Sequence, residues 1–312
     1  MSLKEKRIGV IMGGVSSERD ISLKSGIAVL DALKGAGLNA FALDVLNETA
    51  DEVCRLIASY AVDVVFVAMH GGFGEDGRLQ HILENAGVPY TGPKEMPSRI
   101  AMDKIASRVL FKKAGLNVPR YLCTKKGEAG FLPKLSSSGF EYPLVVKPSA
   151  EGSSIGISFV DSPAGLDDAL SYAFKYGEDV VVEEFIAGRE ITVSVFDGEP
   201  LPIVEIVPKK KFFDFQAKYV KGMTDYIVPA VLNEKTALRA QADAVVAYNA
   251  LGCRHLSRVD IIVDGRDTPV ILEVNTIPGM TQTSLLPKAA AAAGITFTQL
   301  CVRLLELAYD AP

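Results

Sequence analysis

No uninterrupted apolar run in this 312-residue chain approaches the roughly 20 residues that cross a bilayer, so no membrane span is expected. Positive charge is in deficit. The 33 lysines and arginines face 38 aspartates and glutamates, and the net charge of -5 argues against a nucleic-acid binder. The four cysteines, Cys54, Cys123, Cys253 and Cys301, are scattered with no CxxC pair, which predicts reduced, structural thiols of a cytoplasmic protein. The opening Met-Ser-Leu-Lys-Glu-Lys-Arg runs into a strand with no apolar signal core, a further expectation of cytoplasmic residence. Two nucleotide signatures are also missing. No GxGxxG follows the first strand, which weakens a dinucleotide-dependent oxidoreductase, and no Gly-Lys-Ser/Thr opens a helix. No internal repeat is detectable.

The remainder is an ordinary globular composition, 48% hydrophobic and 23% charged, on a chain long enough for two or three compact domains. Its chemistry concentrates at 256–284. Arg258 to Asp264 and Val270 to Asn275 read as two strands joined by an Asp-Gly-Arg-Asp-Thr-Pro turn. If Val263 pairs with Val270, Asp260 lies opposite Glu273 and Arg258 opposite Asn275. Alternation puts these four on one face and Val259, Ile261, Leu272 and Val274 on the other. Opposed carboxylates repel unless a cation lies between them. A solvated outer face is one reading and a magnesium-nucleotide site the other, since hard oxygen donors suit Mg²⁺. The following Asn-Thr-Ile-Pro-Gly-Met-Thr favours the second, because the Gly279 amide can face a ligand.

Taken in order, the chain alternates strand and helix: Arg7–Met12, Ile21–Leu33, Phe41–Asp44, Thr49–Tyr60 and Val62–Met69. This predicts an open, largely parallel α/β sheet with functional loops at strand ends. Gly13 to Asp20 makes an anion-friendly turn, in which Glu18 can instead hold an ammonium. His70 opens a glycine-rich loop to Gly77, where it can bind or support. A turn-rich return closes this unit near Ala101, and a helix opens at Met102-Asp103-Lys104 and runs through Gly115.

Further on, Leu144 to Lys147 is a strand ending on a lysine. The small-residue loop Glu151 to Gly156 lets backbone amides approach phosphate oxygens. Glu183 and Glu184, then Glu190, can meet an adenine amine and ribose hydroxyls, or stand at a solvated strand end. The basic, aromatic stretch 208–222 suggests a lid over an anionic ligand. Glu234 to Leu251 and Pro287 to Tyr309 are helical scaffold.

Assembled, these segments resemble the ATP-grasp enzymes, and among them the D-alanine–D-alanine ligases, over nearly the whole chain. The similarity lies in Gly-Gly-Val-Ser-Ser-Glu-Arg (13–19), His-Gly-Gly-Phe-Gly-Glu-Asp-Gly (70–77), Met-Asp-Lys (102–104) and Val-Lys-Pro-Ser-Ala-Glu-Gly-Ser-Ser-Ile-Gly (146–156). It continues in Ala-Lys-Tyr (217–219), Ser-Arg-Val-Asp (257–260) and Glu-Val-Asn-Thr-Ile-Pro-Gly-Met-Thr (273–281).

The resemblance implies a three-domain α/β and α+β protein: 1–101, an N-terminal parallel α/β substrate domain; 102–188, a central domain; and 189–312, a C-terminal domain with a lid at about 208–224. The last two would clamp ATP. Lys104, Lys147 and the lid's Lys218 would contact ATP, with Glu183, Glu184, Ile186 and Glu190 around adenine and ribose. Asp260, Glu273 and Asn275 would carry two Mg²⁺ ions, for which Mn²⁺ can substitute. Glu18, Ser153 and Tyr219 would form a hydrogen-bonded group at the reacting centre, Arg258 and the Gly279 amide an oxyanion site, and His70, Ser284 and Leu285 substrate contacts. The implied reaction joins two D-alanines through an acyl phosphate for peptidoglycan synthesis, in a cytoplasmic homodimer that binds neither nucleic acid nor membrane. Tyr219 favours an amine over D-lactate as second substrate. Another ATP-grasp carboxylate–amine ligase is the alternative. Ala150, Phe213 and Gln216 depart from the family pattern and bear on lid and affinity.

Overall fold

A computed structural model describes residues 3–153, 155–208 and 224–310. β1 (Arg7–Gly13), α1 (Arg19–Gly35), β2 (Asn39–Val45), α2 (Ala50–Ser59) and β3 (Val64–Val67) follow one another, and the strands lie parallel in the order β2-β1-β3. Six of the seven β1 residues are buried, as a parallel strand covered on both faces requires. Helix α2 begins where the Thr49 hydroxyl accepts from the Glu52 amide at 3.3 Å, a cap worth about 1 kcal/mol.

Two local expectations change here. The glycine-rich stretch after His70 folds partly into a helical turn, α3 (Gly72–Glu75), before α4 (Arg78–Asn85). The Gly74 and Asp76 amides donate back to the Gly71 and Gly72 carbonyls at 3.0 and 2.8 Å, which closes that turn. The turn-rich return also contains a helix, α5 (Glu95–Met102). Pro97 tolerates it because a first-turn residue has no intrahelical acceptor for its amide to miss.

Helix α6 (Lys104–Lys113) starts on Asp103, whose Oδ1 accepts from the Ile105 and Ala106 amides at 2.9 and 3.2 Å. Then come β4 (Tyr121–Lys125), α7 (Phe131–Ser137), β5 (Leu144–Pro148), β6 (Ser158–Val160), α8 (Leu166–Ala173) and β7 (Asp179–Glu184). The strands form an antiparallel sheet in the order β4-β7-β5-β6. Leu144, Val146, Val180 and Val182 pack against α7 and α8 in one core. Alternation therefore turns Lys147 and Glu183 to the opposite face.

A third sheet is built from β8 (Gly188–Phe196), β9 (Glu199–Pro200), β10 (Val204–Pro208) and β11 (Thr224–Ile227). Helix α9 (Glu234–Leu251) intervenes before β12 (Leu256–Asp264) and β13 (Pro269–Asn275). The order is β11-β10-β8-β12-β13, with β9 beside β8. Ile191, Val193, Val259, Ile261, Ile271 and Val274 bury one face with Ala240, Ala244 and Ala247 of α9. The other face carries the polar side chains.

The β12–β13 register puts Asp260 opposite Glu273 and Arg258 opposite Asn275, but Val263 pairs with Pro269, not Val270. A bulge between Asp260 and Ile261 absorbs the difference: Ile261 pairs with Ile271, and Leu272 is the extra residue. Leu272 is thus corrected off the core face, where Ile271 stands instead.

The segment expected as one closing helix is two, α10 (Leu285–Ala292) and α11 (Phe297–Asp310), bent by 103°. Gly294, at φ +79°, takes the left-handed turn that ends α10. The bend lays Leu300, Leu304 and Leu305 against Ile8, Val10, Val64 and Phe66, so the chain's last helix covers the first sheet. No single helix among the described residues is long and apolar enough to cross a membrane.

Candidate active site

A cleft of about 580 Å³ opens where the three sheets meet. Its walls bring together Glu18, His70, Lys104 and Ser153 from the first two sheets' loops with Arg258, Glu273 and Asn275 of the hairpin. Gly279, Ser284 and Leu285 close the far side. Tyr219, Lys218, Phe213 and Gln216 lie outside the described residues, within 209–223.

At one end the Ser153 hydroxyl donates to Glu18 Oε1 across 135 residues of sequence. Ser153 holds φ +49°, a left-handed conformation that serine rarely adopts, and this aims its hydroxyl at the first sheet's loop. His70 is buried, its Nε2 2.8 Å from Ser25 Oγ and its Nδ1 3.0 Å from the Ile277 carbonyl. It fastens β3 to α1 and to the segment after β13. Glu75 lies 3.6 Å from His70 Nδ1 and lines the same cleft. Burial pushes its carboxyl up, with the Glu18 charge adding to the rise and His70 opposing it.

In the middle, Lys104 opens α6. Its own amide donates to the Ser149 carbonyl at 2.9 Å and its ammonium to the Glu151 carbonyl, so the helix start is stitched to the small-residue loop. The same ammonium lies 3.7 Å from Glu273 Oε2. Across the hairpin, Arg258 grips Asp260 with Nε–Oδ1 at 2.8 Å and Nη2–Oδ2 at 2.7 Å, a bidentate pair on one strand face. The Thr192 hydroxyl lies 2.8 Å from the same Oδ1 and 3.0 Å from the Val259 carbonyl. The opposed carboxylates that demanded a cation each meet one supplied by the protein.

Asn275 Oδ1 accepts from the Ile277 amide at 3.0 Å, which fixes the side chain beside the two acids. Two carboxylates and an amide oxygen are hard donors that fit a magnesium ion completing its shell with phosphates and water. No group of three or more His, Cys, Asp or Glu able to hold a metal occurs among the described residues.

On the far side, a Cβ on Gly279 would stand 2.8 Å from Ser284 Oγ, so a larger residue here would push the serine hydroxyl out of its present position. Ser284 Oγ takes the Thr281 amide at 3.1 Å and lies 2.8 Å from the Thr281 hydroxyl.

The remaining predicted residues lie off the cleft lining. Lys147 and Glu183 are buried on adjacent strands, Nζ to Oε1 2.6 Å, and Arg108 pairs with Glu183 Oε2. Burial pulls the Lys147 ammonium down to about 8 against the opposing pull of Glu183. Burial would raise the Glu183 carboxyl, but Lys147 and Arg108 hold it below its ordinary value. Glu184 accepts from the Arg120 amide at 2.9 Å. Ile186 and Glu190 are half-buried, Glu190 opposite Ile206 and Ile262 on the third sheet.

Sequence reading missed Arg108, Glu75, Thr192 and Thr281. Glu75 and Thr281 carried a usable signal, their places in the 70–77 and 273–281 segments. Arg108 stands one helical turn after Lys104, a spacing that puts both on one face of α6.

Two antiparallel sheets that turn charged faces toward one cleft, beside a parallel α/β unit, define the ATP-grasp architecture. Family profiles described as D-ala D-ala ligase C-terminus and D-ala D-ala ligase N-terminus match residues 110–306 and 44–93. Similar curated proteins include the D-alanine–D-alanine ligases of Syntrophotalea carbinolica, 45% identical over 97% of this chain and 96% of that one, and of Geobacter sulfurreducens, 44% identical over 97% and 94%. Among solved structures, the Bacillus anthracis D-alanine–D-alanine ligase complexed with ATP superposes with a TM-score of 0.86 at 34% identity, covering 98% of both chains. The VanG D-Ala:D-Ser ligase of Enterococcus faecalis gives 0.84 at 31%, covering 97% and 99%. This chain belongs to the D-alanine–D-alanine ligase family.

Proposed function

We propose that this protein joins two D-alanines into D-alanyl-D-alanine at the expense of ATP, releasing ADP and phosphate. The observation that carries this reading is the convergence of the Glu18–Ser153 pair, Lys104 and the Arg258–Asp260–Glu273 face on one cleft. A carboxylate is a poor electrophile near neutral pH, so it must be activated. The first D-alanine's carboxylate oxygen attacks the γ-phosphorus, and the bond from that phosphorus to the ADP oxygen breaks. The second D-alanine's neutral amine then attacks the acyl carbon, the C–O bond breaks with its electron pair leaving on phosphate, and the proton lost by the nitrogen departs with that phosphate.

Glu18 offers its carboxylate to the first substrate's ammonium, with Ser153 fixing its direction. Lys104 and Lys147 hold phosphate oxygens; Glu183, Glu184, Ile186 and Glu190 serve the adenine and ribose, and Lys218 is a further ATP contact. Arg258 and the Gly279 amide stabilise the oxyanion as the amine adds, a contribution of about 100- to 1000-fold for one such donor. His70 supports the first substrate's pocket, and Ser284 and Leu285 receive the second substrate, whose carboxylate suits the Ser284 hydroxyl. Tyr219 completes the Glu18–Ser153 group. Asp260, Glu273 and Asn275 would hold two Mg²⁺ ions, with Mn²⁺ as substitute, whose chemistry is neutralisation of phosphate charge.

The cleft must also exclude water, since an acyl phosphate hydrolyses. The segment at 208–224 takes that part. We further propose the division into domains at 1–101, 102–188 and 189–312, with α11 returning to cover the first, and a cytoplasmic homodimer. Mass spectrometry of products from ATP, Mg²⁺ and D-alanine, with D-lactate and D-serine as competing second substrates, tests the reaction. D-alanyl-D-alanine as the main product is expected; no phosphate release with D-alanine, but release with another amino acid, overturns the substrate while leaving the family intact.

A further inference from the structure

Arg108 has no place in the reading above, yet it is among the largest side chains with no exposed surface. A buried guanidinium is costly unless paired, and an apolar residue of similar volume often serves stability as well or better. Its Nη2 is ion-paired to Glu183 Oε2, and none of its three guanidinium nitrogens meets a hydrogen-bond partner among the described residues. One edge faces Glu183, and the guanidinium carbon lies 5.1 Å from the centre of the Tyr121 ring.

The placement follows from three elements. Helix α6 puts Lys104 and Arg108 one turn apart, the first at the cleft and the second a turn deeper. Strand β7 presents Glu183 between Tyr121 of β4 and Val145 of β5. Two residues along β5, on the same face, Lys147 reaches Glu183 Oε1 at 2.6 Å. Each carboxylate oxygen thus has its own cation, Arg108 on one and Lys147 on the other.

We propose that Arg108 is a positioning residue for nucleotide binding: it anchors Glu183 from behind, and Glu183 in turn fixes where the Lys147 ammonium stands. The inference rests on the ATP-dependent reading of the site. Two buried cations share one buried anion, so the cluster carries an unbalanced positive charge in a place poor in water. A nucleotide phosphate is the anion that relieves it. Glu183 alone, held on one oxygen, would be free to swing with the flexible lysine stem. With Arg108 on Oε2 the carboxylate plane is set, and the ammonium is delivered preformed rather than ordered at the moment of binding.

The test is a double-mutant cycle on nucleotide affinity, read by competition of ATP and ADP against a fluorescent ATP analogue at pH 7.5. Arg108→Met is expected to weaken ADP and ATP binding about 10- to 100-fold, as loss of a buried partner to a charged group does, with KM for D-alanine nearly unchanged. In a Lys147→Met background the same substitution is expected to change affinity less than about threefold, because the residue through which it acts is gone. Arg108→Lys keeps the charge, and is expected to recover most of the affinity; if Arg108→Met shows no cooperative melting, Glu183→Gln takes its place in the cycle. Unchanged nucleotide affinity in Arg108→Met, or in Glu183→Gln where that replaces it, overturns the proposal, as does a loss of equal size with and without Lys147. Failure of the unmodified protein to bind any adenine nucleotide would instead remove the ATP-dependent reading itself.

Discussion

The two charged clusters flanking the nucleotide region solve the same problem differently. Glu183 and Lys147 of the second sheet and Arg108 of α6 are buried together, with one cation paired to each oxygen of the anion. Arg258, Glu273 and Asn275 stand on the third sheet and line the cleft, with Asp260 buried beside Arg258. Protein cations meet both carboxylates there, yet the open side remains available to a ligand. Burial makes the first cluster rigid and strong, since charges in a low-dielectric setting interact more and are screened less by salt. Exposure leaves the second exchangeable. An enzyme that must grip a nucleotide and then rearrange bonds beside it uses a fixed anchor at one end and exchangeable partners at the other.

The most damaging change to the exchangeable cluster is Glu273→Gln. Ligation is expected to fall roughly 1000-fold, because several kcal/mol of phosphate-charge neutralisation depend on that carboxylate. Initial rates of phosphate release at saturating Mg²⁺ measure it, and a loss below tenfold would make the two clusters equivalent. Arg258→Ala should cost about 100- to 1000-fold in turnover with little change in nucleotide affinity; near-normal turnover takes Arg258 out of the reaction and leaves it only an ion pair to Asp260.

The buried cluster is sharpened by pH. Lys147 is charged below its value of about 8 and neutral above it, whereas a bound phosphate favours the charged form and lifts that value back toward an ordinary lysine. Nucleotide affinity is therefore expected to be flat below pH 8, then to fall by up to about tenfold per unit as binding has to bring in a proton. Calorimetry in buffers of different ionisation heat reads that uptake, and affinity constant from pH 7 to 9.5 would place Lys147 away from the phosphates. Thr192→Val has the smallest expected effect, about 1 kcal/mol from one hydrogen bond to Asp260, seen as a few-fold rise in the Mg²⁺ requirement.

Much of the fold was legible because its signals are local. Alternation along β12 and β13 put Asp260, Glu273, Arg258 and Asn275 on one face, and apolar runs marked β1 and β3. Where the reading slipped, a non-local or subtle term won. The turn premise of the hairpin was off by one residue and a bulge at Leu272 restored the pairing near the site. Helix α5 hid behind Pro97, and Gly294 split what read as one helix.

By itself, the sequence determined the class of chemistry: two carboxylates and an amide at hairpin spacing, a lysine at a strand end, a small-residue loop, and motifs in family order. These depend on residue type and short-range periodicity, which composition and strand geometry carry. Tertiary structure alone decided which charges are paired. That Lys104 reaches Glu273, that His70 meets Ser25 and the Ile277 carbonyl, and that Arg108 is buried behind Glu183 are facts of distance between segments remote in sequence. A charge's strength depends on what surrounds it, and only the packed chain sets those surroundings.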